Sequence, residues 1–369
     1  LTEILNGKRP RAIGNLSQFD RRQPEMKLSA PDVSSRERLV NVKLQIANAL
    51  AGARDIRLFR NGSLVKVWHG DLALIEGRAV LEASIPLVAG DNQLTAYAFN
   101  HDNIKSEDTT LSITGSASLK RQATAYVLAV GVNSYANPQY NLKYAVADAK
   151  AFGEDFSRQQ VKLGRFANIV VVPLIDKDAT KANIIFALRR LAGSHDAALP
   201  TGAPSGLRSL QGVQPEDAVV VYFAGHGTAQ QNKFFLVPHD LGYQGSRTQL
   251  DKSALNKILA HSISDRELEQ EVEQVDAGQI LFIIDACNSG QALEAEEKRR
   301  GPMNSKGLAQ LAYEKGMYIL TAAQSYQAAL ETPKRGHGYL TYALVKEGLN
   351  TTQADNDPRD GQVTLREWL

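Results

Sequence analysis

Two successive patterns predict a two-part chain, a small all-β antiparallel sandwich followed by a larger α/β domain with a mainly parallel central sheet. Up to about residue 115, apolar residues alternate with polar ones, as half-buried strands require, and turn-forming residues separate the runs. From residue 123 onward the apolar runs are continuous and helical patterns lie between them, as expected for strands covered on both faces. The length of 369 residues agrees, giving about two to two and a half domains at about 150 residues each.

Composition excludes several classes of function. Forty-two Lys and Arg against 40 Asp and Glu leave a net charge of +2, which offers no electrostatic footing for a dedicated nucleic-acid binder. One cysteine, Cys287, can form neither an internal disulfide nor a multi-cysteine metal site. No stretch approaches the roughly 18 consecutive apolar residues of a membrane span. The first eleven residues lack the apolar core of a signal peptide. The chain begins at Leu1 and ends at Trp368-Leu369 inside a helical pattern, as expected of a fragment of a longer protein.

Residues 1–36 are polar, with Pro10, Pro24 and Pro31 among charges, and read as an extended or irregular lead-in. Val40, Val42, Leu44 and Ile46 then form one face of a strand. Residues 56–60 and 63–68 flank Asn61-Gly62, the pair that favours the positive φ angles of a type I′ hairpin turn. Alternating runs follow at 79–85, 93–99 and 109–113, a spacing that suggests an immunoglobulin-like sandwich over residues 37–118 with a linker to about 122.

The α/β domain, residues 123–369, carries continuous apolar runs at 125–132, 167–175, 217–223, 279–284 and 317–322. Helical patterns at 142–156, 180–191 with Thr180 as N-cap, 253–263 and 340–349 lie between or after them. In such sheets the working residues lie just past the carboxyl ends of strands. The third run ends in Ala224-Gly225-His226-Gly227 and the fourth in Asp285-Ala286-Cys287-Asn288-Ser289-Gly290.

A thiol nucleophile with a histidine base is the chemistry these two loops allow, and the pair can come from distant parts of a sequence. His226 precedes Cys287 by about sixty residues, an order known in one family of thiol proteases. The backbone N–H groups of Gly227 and Cys287 are candidates for an oxyanion hole. Taken singly, Cys287 fits a small buried hydrophobe equally well, and a lone histidine is more often structural. The conjunction of two glycine-flanked strand ends favours catalysis. His69, His101, His195, His239, His261 and His337 have no comparable context and read as surface or packing residues.

Tyr222 to Gly227 (YFAGHG) followed by Phe282 to Gly290 (FIIDACNSG) resembles the caspase-like cysteine peptidases of clan CD, peptidase family C14, and within them the bacterial metacaspase or orthocaspase type. The first strand (YVLAVGV, 126–132), its helix (LKYAVADA, 142–149) and GHGYLTYAL (336–344) fit the same pattern, so the resemblance covers residues 123–369. It implies a caspase-like three-layer α/β/α sandwich, preceded here by the appended β domain, and a Cys287/His226 dyad. It also implies an S1 pocket walled by Asp148 and Asp285, whose paired carboxylates suit a cation. Cleavage after Arg, or less well Lys, of protein or peptide substrates is therefore expected.

The charged segment 294–302 contains Lys298, Arg299 and Arg300, which suit that pocket as self-processing sites. A solvated loop explains the same residues equally well. No cofactor is expected. Many relatives need calcium, but residues 227–235 contain no acid, Asp240 and Glu294 being the nearest, and 355–361 reads as a turn. Ala145 stands where some relatives carry a second cysteine. The resemblance further implies a bacterial cytoplasmic setting in stress, defence or cell-death signalling. The rival reading is a catalytically silent scaffold or regulatory module with the β domain as its partner surface. Intact His226 and Cys287 weigh against it.

Overall fold

A computed structural model describes residues 19–194, 198–230, 233–288, 306–322, 336–361 and 363–369. The chain divides into two compact units, Leu1–Leu119 and Lys120–Leu369.

The first unit is a sandwich of two sheets. One holds β1 (Glu25–Ser29), β3 (Leu39–Ala47) and β6 (Ala79–Pro86) in the order β1-β3-β6. The other holds β2 (Ser34–Ser35), β4 (Arg54–Arg60), β5 (Ser63–Asp71), β7 (Gly90–Phe99) and β8 (Thr109–Gly115) in the order β2-β8-β7-β4-β5. The alternation of β3 is realised residue by residue: Val40, Val42, Leu44 and Ile46 are buried, while Leu39, Asn41, Lys43 and Gln45 face out. Asn61 and Gly62 join β4 to β5 with φ of 50° and 82°, the two positive angles of a type I′ turn. The polar lead-in departs from its irregular reading, because β1 pairs antiparallel with β3 and buries Leu28. Five residues with two apolar side chains are too few to show a period on their own. Asn92, fully buried, ties the sandwich end together by donating to the Val88, Gly90 and Ile113 carbonyls and accepting from the Val88 N–H.

The second unit is built on a seven-stranded sheet. Strands β10 (Asn168–Ile175), β9 (Thr124–Gly131), β11 (Ala218–Gln230), β14 (Gln279–Asn288) and β15 (Tyr318–Thr321) run parallel, each paired with the next in that order. β12 (Lys233–Val237) returns antiparallel to the distal half of β11, and β13 (Ile263–Ser264) pairs antiparallel with β12. Every residue of β9 is buried, which requires cover on both faces and explains why its sequence is apolar without alternation.

On one face, α1 (Ala145–Leu163) packs with the helical stretch Tyr339–Thr341, the π-helical turns Tyr342–Asn350 that continue it, and the terminal helix Leu365–Trp368. Phe152 of α1 stacks on Tyr222 of β11 at 4.5 Å and on Trp368 at 6.1 Å, so the core of this face is an aromatic pile. Further helices are α2 (Lys181–Leu191), α3 (Lys252–His261), α4 (Asp265–Glu273) and α5 (Lys306–Lys315). Thr180 caps α2, its hydroxyl accepting from the Asn183 N–H. Ser264 and Glu267 form a capping box on α4, a short helix of low hydrophobicity that the apolar pattern does not signal.

β11 is long enough to change neighbours along its length. Residues Ala218 to Ala224 lie between β9 and β14, but β9 ends at Gly131, and from His226 onward β12 takes its place. The residue at which one neighbour gives way to the other is the candidate histidine.

Candidate active site

His226 pairs in register with Val237 of β12 on one side and with Cys287 of β14 on the other. Two positions about sixty residues apart in sequence are thereby direct neighbours across one strand pair. The glycines flanking His226 answer close approaches. A Cβ at Gly225 would stand 3.0 Å from the Tyr135 hydroxyl and 3.1 Å from the Phe223 ring. A Cβ at Gly227 would meet the Phe234 ring at 3.0 Å and the Ala286 methyl at 3.1 Å.

The loop between β9 and α1 holds the imidazole. The Tyr135 hydroxyl accepts the His226 N–H at 2.7 Å, and its ring lies 4.9 Å from the imidazole. His226 Nε2 lies 2.7 Å from the Tyr140 carbonyl oxygen. A carbonyl only accepts, so Nε2 carries the proton, and the neutral ring keeps its lone pair on Nδ1. Burial pushes His226 down to about 4, the Tyr140 hydrogen bond opposing the shift and the nearby Arg247 cation adding to it. The ring is thus a neutral base across the physiological range.

That loop is itself anchored. Asn137 donates to the Tyr243 and Gly245 carbonyls, and the Arg247 guanidinium donates to the Gln139 carbonyl and lies 5.7 Å from the Tyr140 ring. The Tyr140 and Thr228 hydroxyls are buried without a partner among the described residues.

A second cluster lies on the same sheet face. Asp285, two residues before Cys287, and Asp148, on the first turn of α1, are both buried, at 7% and 4% exposure. Asp285 Oδ2 accepts from the Thr341 hydroxyl at 2.9 Å and from the Tyr222 hydroxyl at 3.3 Å. The Gly338 N–H donates to both oxygens of Asp148, and His337 Nδ1 lies 2.8 Å from Asp148 Oδ1. A Cβ at Gly338 would be 3.1 Å from Asp285 Oδ2 and 3.2 Å from Asp148 Oδ2, so that glycine lies between the two carboxylates. Burial pushes Asp285 up to about 6; the Thr341 hydrogen bond opposes this and the Asp148 charge reinforces it.

The structure therefore brings together His226 with position 287, and Asp148 with Asp285. Lys298, Arg299, Arg300 and Glu294 lie outside the described residues, as does His195. Asp240 accepts the Lys181 N–H at the start of α2. Among the described residues no three His, Cys, Asp or Glu side chains gather as metal ligands. The 355–361 segment is a turn in which Asp355 accepts from the Asp360 and Gly361 N–H groups.

His337 departs from its reading as a surface or packing residue, since it engages a buried carboxylate. The signal lay in the sequence: Gly336-His337-Gly338 repeats the Gly225-His226-Gly227 string. Tyr135, Tyr140, Tyr222 and Thr341 carried no such mark, because each acts across elements distant in sequence.

Residues 205–358 match the family model described as Peptidase_C14, caspase domain. No curated protein matches the chain. Among solved structures, a CARDB domain from Pyrococcus furiosus is 19% identical, covering 26% of this chain and 94% of that one, with a TM-score of 0.21. The fibronectin(III)-like modules of Clostridium thermocellum CbhA are 13% identical over 25% of this chain and 99% of that one, TM-score 0.19. A PKD domain of an M14-like peptidase from a Thermoplasmatales archaeon is 17% identical over 26% and 99%, TM-score 0.21.

Proposed function

Given a caspase-like cysteine peptidase domain in the second unit, we propose that this chain is an endopeptidase that cleaves after Arg, and less well after Lys, through His226 and Cys287. The observation that carries the proposal is the register of β11 and β14, which makes His226 and Cys287 strand neighbours.

In the proposed reaction, His226 Nδ1 accepts the proton of the Cys287 thiol as sulfur attacks the carbonyl carbon of the scissile bond. The negative charge on the carbonyl oxygen is met by the N–H groups of Gly227 and Cys287. The tetrahedral species collapses, the C–N bond breaks, and the imidazolium returns the proton to the departing amine. Water, deprotonated by His226, then hydrolyses the thioester and regenerates the thiol. The Tyr140 carbonyl keeps Nε2 protonated throughout and so supports Nδ1 as the reacting nitrogen. Asp148 and Asp285 would hold the P1 cation in a buried pocket, where charge-assisted hydrogen bonds are strongest. No cofactor enters this scheme.

The test is turnover of fluorogenic peptides with Arg, Lys or Asp at P1, with calcium or chelator, by the unmodified chain and by Cys287→Ala. Turnover of the Arg and Lys peptides, unchanged by chelation and abolished in Cys287→Ala, is the expected result. No turnover of either basic peptide by the unmodified chain would favour a silent scaffold. Preference for Asp would refute the pocket assignment alone. Sequencing fragment termini from the same two proteins reads self-processing after Lys298, Arg299 or Arg300.

A further inference from the structure

The two pocket acids sit on different elements, α1 and β14, yet one short segment, 337–341, contacts both. Asp148 is held from it by the Gly338 N–H and by His337. Asp285 is held from it by Thr341, whose hydroxyl is fully buried and also lies 2.5 Å from the Tyr222 hydroxyl. Both hydroxyls act on a single oxygen of Asp285, Oδ2. The Thr341 backbone adds a further hydrogen bond to Asp285. Gly338 lies between the carboxylates, where any side chain would strike both.

We propose that Thr341 and His337 are the positioning residues that set P1 selectivity: Thr341, with Tyr222, fixes the orientation in which the Asp285 carboxylate meets the substrate cation, while His337 and the Gly338 amide fix Asp148 opposite it. The inference rests on the peptidase reading above and names the selectivity device of that same site. Two carboxylates locked at a fixed separation suit a rigid planar guanidinium, whose several N–H groups can meet oxygens on both acids at once. An ammonium is a point charge on a flexible stem and depends less on where each oxygen is fixed. Losing the Thr341 hydroxyl loosens the Asp285 carboxylate, so recognition of arginine suffers more than recognition of lysine. Neither residue touches the bond that is cleaved, so the effect falls on binding and not on chemistry.

The experiment compares the unmodified chain with Thr341→Val, which keeps the buried shape and deletes the hydroxyl, and Thr341→Ser, which keeps the hydroxyl and deletes a methyl. KM and kcat are measured for matched Arg and Lys peptides, and binding of the Arg peptide to each variant in a Cys287→Ala background is measured by calorimetry. Thr341→Val is expected to raise KM for the Arg peptide about tenfold, the scale of one hydrogen bond to a charged group, with kcat within threefold. The Arg-over-Lys ratio falls, Thr341→Ser restores it, and His337→Gln lowers it several-fold. Calorimetry gives the same ranking. An unchanged KM and ratio in Thr341→Val would overturn the inference, as would a Thr341→Ser variant no better than Thr341→Val, which would reduce Thr341 to a packing residue. Arg-peptide binding that depends on Thr341 in a chain that turns nothing over would overturn the peptidase reading and leave the inference standing. No Arg-peptide binding at all would overturn the pocket itself.

Discussion

Tyr135→Phe removes the hydrogen bond beneath the candidate base, along with a long 3.5 Å donation from the same hydroxyl to the Val237 carbonyl. The phenyl ring keeps the contact 4.9 Å from the imidazole, and only the hydroxyl that accepts the His226 N–H is lost. Tyr135 is 3% exposed and His226 equally so, which leaves no room for water to replace that acceptor. A buried N–H left without a partner costs about 1–3 kcal/mol. For a unit of this size, about 2 kcal/mol corresponds to a fall of roughly 4–8 °C in the unfolding transition. The same loss frees the backbone at the point where β12 replaces β9, so the imidazole is less well aimed. We therefore expect kcat to fall about tenfold, with KM for an Arg peptide within twofold, since the proposed P1 pocket of Asp148 and Asp285 is untouched. Calorimetric unfolding and steady-state kinetics on Tyr135→Phe check both. A transition within 1 °C of the unmodified chain together with unchanged kcat would refute the argument that this hydroxyl holds His226.

The remaining predictions concern charge. With His226 held near 4 and Asp285 near 6, the acid limb of kcat/KM for an Arg peptide is expected near pH 6, because the pocket gains its second charge there while the base is already neutral. Asp285→Asn should flatten that limb and raise KM, and a limb that stays in place would reassign it. Stability offers a second readout. Asp285 binds its proton more tightly in the folded chain, so its contribution is present at low pH and lost as pH rises through about 6; that of His226 is present above its ordinary value and lost as pH falls toward 4. The two slopes oppose one another between pH 4 and 6, each worth on the order of 3 kcal/mol. In Asp285→Asn the His226 slope stands alone, so denaturant midpoints should drop more steeply on acidification than in the unmodified chain. Asp217, 1% exposed, accepts from Arg121 and from the Thr124 and Gln214 N–H groups, so Asp217→Ala should cost about 3 kcal/mol. A urea midpoint lowered at constant slope reads that loss, and an unshifted midpoint would contradict it.

Much of this protein was legible in its sequence because the signals were local. Alternation in 40–46 and the Asn61-Gly62 turn are properties of adjacent residues, and they specify a hairpin-rich sandwich whatever surrounds them. The continuous run 125–132 and the Thr180 cap likewise mark a covered strand and a helix start. The glycines flanking His226 pointed to the candidate site for the same reason: the backbone there must pass close to other groups, and glycine records that need at its own position. The lead-in strand β1 and the capping-box helix α4 were illegible, being too short or too polar to bury a periodic face visible in isolation.

What the sequence by itself determined is the two-part order of the chain, its strongly periodic or continuously apolar elements and the two strand ends that carry the candidate His226 and Cys287. Only the tertiary structure decided which residues condition them. The Tyr140 carbonyl, the Tyr135 hydroxyl and the bond between Thr341 and Asp285 join positions from about 56 to 91 residues apart. Such bonds leave no period and no spacing in the chain. The physical reason is that burial is a property of the assembled fold: the carboxylate of Asp285 is raised, and the imidazole of His226 lowered, by surroundings that exist only once strands from distant segments lie side by side.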